Sequence, residues 1–297
     1  MNGRRVDMED TILVGNGPDF SIVGVFDGHD DAGEVSKLAA EFVETELGKF
    51  LPGGITDERA YKNAFLKIDD MIQQRGISGG STAVVASITK DTLVVANLGD
   101  SRAILVQRRK AGDSSADEDE AAGSDTTFST IDLSRDHSSG LDSEKERIDR
   151  VPGIEITGGR IVRKKKNGDP ESIGPSRAFG DFGFKANQEL PPEQQAVIAV
   201  PDLTIHPRSE EDAFLILACD GIWDVMTSDE VGDFVARKIM DCRDSGVEVT
   251  LPRIADRLVE HCFDLGSTDN MSVALVDLCA ITEGPTIVRK IDFPSSP

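Results

Sequence analysis

Phe20-Ser-Ile-Val-Gly-Val-Phe26 runs straight into Asp27-Gly28-His29. A short, continuous apolar run closed by a turn dipeptide reads as a buried strand. The pattern returns at Ala213-Phe-Leu-Ile-Leu-Ala-Cys219, which stops at Asp220-Gly221, and in looser form at Thr268-Asp269-Asn270, just ahead of a strand-like segment over 271–278. Strand ends that project Asp into one crevice gather negative charges that need cations to coexist. Hard divalent ions such as Mg2+ or Mn2+ take carboxylate, carbonyl and water oxygens, and suit a glycine whose backbone comes close. Any single Asp-Gly is ordinarily a turn; recurrence at three distant points shifts the reading toward a shared site. His29 beside such a carboxylate becomes a candidate proton donor, since an imidazole titrates near neutrality. Arg5 is ambiguous alone, but would be the natural bidentate clamp if the site handles phosphate.

Outward from these strands, Val35, Leu38, Ala39, Phe42, Val43 and Leu47 make one helical stripe, and Tyr61, Ala64, Phe65, Ile68, Met71 and Ile72 make a second. Strand-like segments over 82–88, 92–97 and 103–107 follow with spacers of only three and five residues, which favours an antiparallel meander. Residues 128–133 read as a further strand, 143–150 as a short helix, and 153–183, rich in Gly and Arg/Lys, as irregular. Thr227-x-x-Glu230 is a capping box that opens another helix, and Pro252 suits the first turn of the next. Meanders alternating with helix pairs predict an α+β architecture, sheets inside and helices outside. No linker divides the chain, so one domain over 1–283 is expected, with an insert at 111–127, a flap at about 153–183 and a C-terminal tail over 284–297.

The balance of 54 acidic against 32 basic residues, a net charge of -22, argues against nucleic acid or an anionic membrane surface as partner. No apolar run approaches the roughly 20 residues a membrane span needs, and no leading apolar stretch suggests a signal peptide, so a soluble, intracellular protein is expected. The four cysteines, Cys219, Cys242, Cys262 and Cys279, form no C-x-x-C pair and read as reduced, buried core residues. Residues 111–127 hold six acidic and no basic side chains and read as a disordered insert. An EF-hand loop from Asp117 fails its template, with Ala122 and Phe128 where Gly and Glu are needed. Gly76-Ile-Ser78-Gly-Gly80 matches the serine-hydrolase elbow, with His261 as conceivable base, but a helix precedes it and a strand follows, the reverse of what the elbow requires.

Taken together, the motifs resemble the metal-dependent protein phosphatase family, type 2C. They are Arg5-Val-Asp-Met-Glu9-Asp10, Val25-Phe-Asp27-Gly28-His29, Gly79-Gly-Ser-Thr82-Ala and Asn97-Leu-Gly99-Asp100-Ser101-Arg102. Asp136-His137, Glu144-Lys-Glu-Arg-Ile148 and Ser176-Arg177-Ala-Phe-Gly180-Asp181 follow, then Ala218-Cys-Asp220-Gly221-Ile-Trp223-Asp224 and Gly266-Ser-Thr-Asp269-Asn270-Met-Ser. They stand in family order over nearly the whole chain.

The resemblance implies a four-layer α-β-β-α sandwich, two central antiparallel sheets flanked by helix pairs, and hydrolysis of phosphoserine and phosphothreonine in proteins by a water activated at a binuclear Mg2+ or Mn2+ centre. Asp27 would bridge both ions, Gly28 would bind one through its carbonyl, and Asp220 and Asp269 would complete the other. Glu9 and Asp10 would act chiefly through waters, and Asp100 would match a weaker third ion. Arg5 would clamp the phosphate and His29 would protonate the leaving alkoxide. Phosphoproteins are the implied partners of a monomer in the cytoplasm and/or nucleus. The alternative is a pseudophosphatase scaffold with the same fold.

Three departures stand out. Family members usually have a further strand before the Arg5 motif, which implies a shortened chain or an open sheet edge. Asp30-Asp31-Ala32 stands where Gly is common, and Pro175 precedes Ser176-Arg177. The basic run Arg163-Lys-Lys-Lys166 falls on the family's variable flap, either as a selector of acidic phosphoproteins or as a solvated loop.

Overall fold

A computed structural model describes all residues except 17–18, 31, 52–53, 110–126, 166, 247–249 and 281–297. Most of the acidic insert and the whole 284–297 tail therefore lie outside the described residues.

The apolar runs are strands, and both faces of each are buried. The first sheet has five antiparallel strands in the order Thr11–Asn16, Ser21–Phe26, Ala83–Ile88, Thr92–Leu98 and Asp202–Pro207. The second orders Val273–Asp277, Asp212–Ala218, Arg102–Arg109 and Thr127–Asp132, also antiparallel. The described residues include six α-helices: α1 (Glu34–Phe50), α2 (Glu58–Gln73), α3 (Asp142–Ile148), α4 (Asp220–Trp223), α5 (Ser228–Asp244) and α6 (Leu251–Asp264).

Alternation along the strands divides the core into three shared clusters. Ile22, Phe26, Val85, Val94 and Ala96 pack with α1 and α2. Their neighbours Val23, Val25, Val84, Ala86 and Val95 meet Leu105, Leu215, Leu217 and Val276 of the second sheet. The opposite face of that sheet, Ile104, Phe214 and Ile216, packs with Val231, Val235, Leu258 and Cys262 of α5 and α6. A strand with buried surface on both sides has no polar face to alternate, which is why these segments read as unbroken apolar runs. The fold is mixed, with helices packed against antiparallel sheets.

Local signals hold where side chains make the contacts they suggest. Thr227 Oγ1 accepts from Glu230 N (3.3 Å) while Glu230 Oε2 accepts from Thr227 N (2.8 Å), a reciprocal cap on α5. Asp57 caps α2 by accepting from Ala60 N (3.1 Å). All four cysteines are free, but only Cys219 and Cys262 are buried; Cys242 is half-buried and Cys279 exposed, contrary to the expectation of four core thiols.

The stretch expected to be irregular contains a three-stranded antiparallel sheet, Ile154–Thr157, Arg160–Lys164 and Pro170–Ile173. Ile161 and Ile173 point into a fourth cluster with Ile148, Val151, Phe184 and Val197. The basic run is partly spent within this flap: Arg163 and Lys165 both pair with Glu171, and the Arg163 guanidinium lies 5.3 Å from the Phe184 ring centre. At the base of the flap, the buried Glu144 of α3 accepts from Ser176 Oγ (2.7 Å) and Arg177 Nη2 (2.8 Å) and pairs with Arg147 Nη1 (2.7 Å).

Burial alone would raise the Glu144 carboxyl, but Arg177, Arg147 and Ser176 outweigh it and hold it below its ordinary value. A folded-state pKa below the unfolded one adds stability that is complete above the ordinary Glu range and is lost as pH falls through the folded value. Glu144→Gln should therefore cost about 3 kcal/mol at neutral pH. In urea denaturation the gap to wild type should narrow below about pH 4; equal midpoints at neutral pH would contradict the network.

Candidate metal centre

Register brings the acidic strand ends to one place. Thr11 lies opposite Phe26, Val25 opposite Val84, and Ala83 opposite Leu98, so Asp10, Asp27 and the Gly99-Asp100 turn sit along one edge of the first sheet. Ala218 lies opposite both Arg102 and Val273, which puts Asp220 and the Ser267–Ser272 segment at an edge of the second. Ligand atoms of Asp10, Asp27 and Cys219 fall within 4.8 Å of one another. Asp10 is 6% exposed, and neither carboxylate oxygen has a hydrogen-bond partner.

The charges act on one another as this crowding requires. Burial pushes Asp27 well above the usual carboxylate range, and Asp10, Asp220 and Asp100 add to the shift. Burial likewise raises Asp10 to about 6. Asp220 rises to about 6 by burial and the nearby Asp224, and Asp100 to about 7 by burial and Asp220. A buried carboxylate approached by Ser272 and the Cys219 thiol, among mutually repelling carboxylates, is a donor set for hard cations. Two glycines keep the centre open to backbone: a Cβ on Gly28 would stand 2.5 Å from Glu9 O, and one on Gly221 2.1 Å from Asn270 O.

The segment bearing Arg5, Glu9 and Asp10 is held to this edge by Asn270. Its side chain donates to Asn2 O (3.1 Å) and Asp7 O (3.0 Å) and accepts from Glu9 N (2.7 Å). Arg5 donates to Asp269 Oδ2 (2.7 Å), so the expected phosphate clamp touches an expected metal ligand. That pair is half-exposed and correspondingly weak, which leaves the guanidinium available to another anion. Glu9 Oε1 accepts from Ala32 N (3.1 Å). Ala32 (φ 57°) and Asp30 (φ 67°) are left-handed where glycine would be unstrained, so the residues that depart from the family's common Gly carry backbone strain in that loop.

His29 Nε2 meets Asp181 Oδ2 at 2.9 Å. Burial would lower this imidazole, but Asp181 more than offsets it and the pKa rises to about 8. Asp136, Asp181 and Asp224 stand within the family motifs, although nothing in those motifs assigns them to the site. Asp136 and Asp224 add to its field, and Asp136 is held by Arg102 (Nε 3.0 Å, Nη2 2.7 Å), whose guanidinium lies over Trp223. Asp224 stands four residues after Asp220 on one helical turn, a spacing that could have flagged it. The serine-hydrolase elbow finds no support: Ser78 follows α2 and precedes a strand, and His261 stacks on Phe234 of α5.

The family model Protein phosphatase 2C matches residues 1–271. The chain belongs to that family. It is 33% identical to protein phosphatase ppm-1.A of Caenorhabditis elegans over 95% of this chain and 59% of the relative. It is 35% identical to protein phosphatase 2C homolog 2 of Aspergillus flavus over 86% of this chain and 53% of the relative. The chain thus spans little more than half the length of these curated relatives. A crystal structure of a phosphatase from a pathogenic strain of Toxoplasma gondii superposes with a TM-score of 0.76 at 26% identity, covering 98% of this chain and 95% of that one. No described helix is long and apolar enough to cross a membrane.

Raised carboxylate pKa values make folding take up protons, so without divalent ions the phosphatase 2C fold should lose stability as pH rises from about 4 toward neutrality. In EDTA, Asp220→Asn should flatten that fall and gain about 1 kcal/mol at about pH 8. Thermal unfolding across pH checks both; identical pH profiles for variant and wild type would contradict the crowding.

Proposed function

We propose that this chain is a metal-dependent phosphatase acting on phosphoserine and phosphothreonine in proteins, working as a monomer inside the cell. The crowded carboxylates at the ends of both sheets, the buried Asp10 among them, carry this reading, and family membership supports it. The three clusters are consistent with four α-β-β-α layers, which would keep these ends at one margin of the sandwich.

In this reading two Mg2+ or Mn2+ ions would be held by Asp27, which would serve both, by the Gly28 carbonyl for one, and by Asp220 and Asp269 for the other. Glu9 and Asp10 would act chiefly through waters, and Asp100 would serve a weaker third ion. Such ions, when bound, offset the carboxylate charge and acidify a water for attack on phosphorus. Arg5 exchanges Asp269 for the substrate phosphate, to which a guanidinium offers paired donors. As the bond from phosphorus to the Ser or Thr oxygen breaks, that oxygen needs a proton. His29, its pKa lifted to about 8, holds one at neutral pH. In the flap, Arg163 and Lys165 are engaged by Glu171, so these two cations are not free to choose acidic substrates.

The test is turnover of a phosphothreonine peptide with millimolar Mn2+. Asp220→Ala and Asp269→Ala should each lower kcat/KM at least ~100-fold, and EDTA should abolish activity. Arg5→Ala should act mainly on KM, raising it about 10-fold. Unchanged activity in either Asp variant would overturn the assignment; metal binding without turnover would favour the scaffold reading.

A further inference from the structure

One buried ion pair lies outside the carboxylate cluster yet connects to His29. Asp69, on α2, accepts from Lys185 Nζ at 2.8 and 2.9 Å and from Gly180 N at 2.8 Å. Lys185 also donates to Ala178 O (2.8 Å). Their side chains are 13% and 9% exposed, so the pair is well shielded from water. It grips the backbone just ahead of Asp181, at Ala178 O and Gly180 N, and Lys185 itself follows four residues later.

Asp181 itself is left-handed (φ 49°) directly after Gly180 (φ 74°), a conformation that costs energy for a residue with a Cβ. Its N–H donates to Gly79 O and its C=O accepts from Phe184 N, both 2.8 Å. This bend aims an 8% exposed carboxylate at His29 Nε2. The pair lies across Gly80, where a Cβ would fall 2.1 Å from Asp181 Oδ2 and 2.7 Å from His29 Nε2. Glycine is therefore required beneath it. With Nε2 engaged, Nδ1 has no hydrogen bond among the described residues.

We propose that Asp181 is a positioning residue for the leaving-group step: it fixes the His29 ring through Nε2 so that Nδ1 delivers the proton, and the Asp69–Lys185 pair holds Asp181 in place. The geometry parallels other sites where a carboxylate on one imidazole nitrogen sets the tautomer and orientation of the other. The inference rests on His29 being the general acid. The proton passes from Nδ1–H of the imidazolium to the oxygen released by phosphorus, leaving a neutral ring protonated at Nε2 and still bonded to Asp181.

The experiment compares kcat on a phosphothreonine peptide, whose alkoxide needs protonation, with kcat on p-nitrophenyl phosphate, whose leaving group does not. His29→Ala tests the parent reading: it should lower peptide turnover about 100-fold and aryl turnover far less. A uniform loss would overturn the general-acid assignment. Asp181→Ala, with Asp181→Asn as the gentler variant should Ala misfold, should reproduce the selective loss at roughly 10-fold or more with KM unchanged. In the His29→Ala background it should add no further loss. Asp69→Asn should give a smaller loss of the same selectivity. If His29→Ala is selective while the Asp181 variants lower both substrates equally, or retain their full effect without His29, the positioning role is overturned and the general acid stands.

Discussion

Four crowded carboxylates whose negative charges repel one another set the terms for this molecule. Asp10, Asp27, Asp100 and Asp220 reach the same margin because two antiparallel sheets, each locked by its apolar alternation, end there together. A slip of one residue in any of these strands would exchange the side chains packed on its two buried faces as well as move its Asp. Fold and site are thus specified by the same contacts. The repulsion is borne by the core and relieved by protons or cations, so stability is given up locally for binding.

Around the cluster, neutral and basic groups fix geometry without cancelling its charge. Asn270 uses both its amide N–H donors and its carbonyl oxygen to bind the N-terminal segment, and with it Glu9 and Asp10. Gly28 and Gly221 let backbone stand where a methyl group could not. Arg102 takes Asp136 from below while lying on Trp223, and Arg5 stays at the exposed rim. The guanidinium groups near the centre are thereby placed at its edges.

Much of this was legible in the residues. The runs at Phe20 and Ala213, the helical stripes and the Thr227 box announced themselves because each is a local pattern with one dominant periodicity. The edge strands Thr11–Asn16 and Asp202–Pro207 did not: they are short and half-exposed, and Pro207 ends the second. The flap strands are four or five residues long, and Gly158-Gly159 separates two of them, so their few inward isoleucines gave no period to read. Asp-Gly strand ends pointed to the acidic centre from sequence alone. The Asp181–His29 contact could not be seen that way, since it joins residues 152 apart through a left-handed backbone. Nor could the Arg5–Asp269 pair, across 264 residues.

The most direct test of a centre built from crowded, proton-holding carboxylates is calorimetric titration of the EDTA-treated chain with Mn2+ at neutral pH, repeated in buffers of different ionisation enthalpy. Binding of two ions per chain, with net release of about one proton or more, is the expected result. Absence of binding, or binding with no proton released, would contradict it.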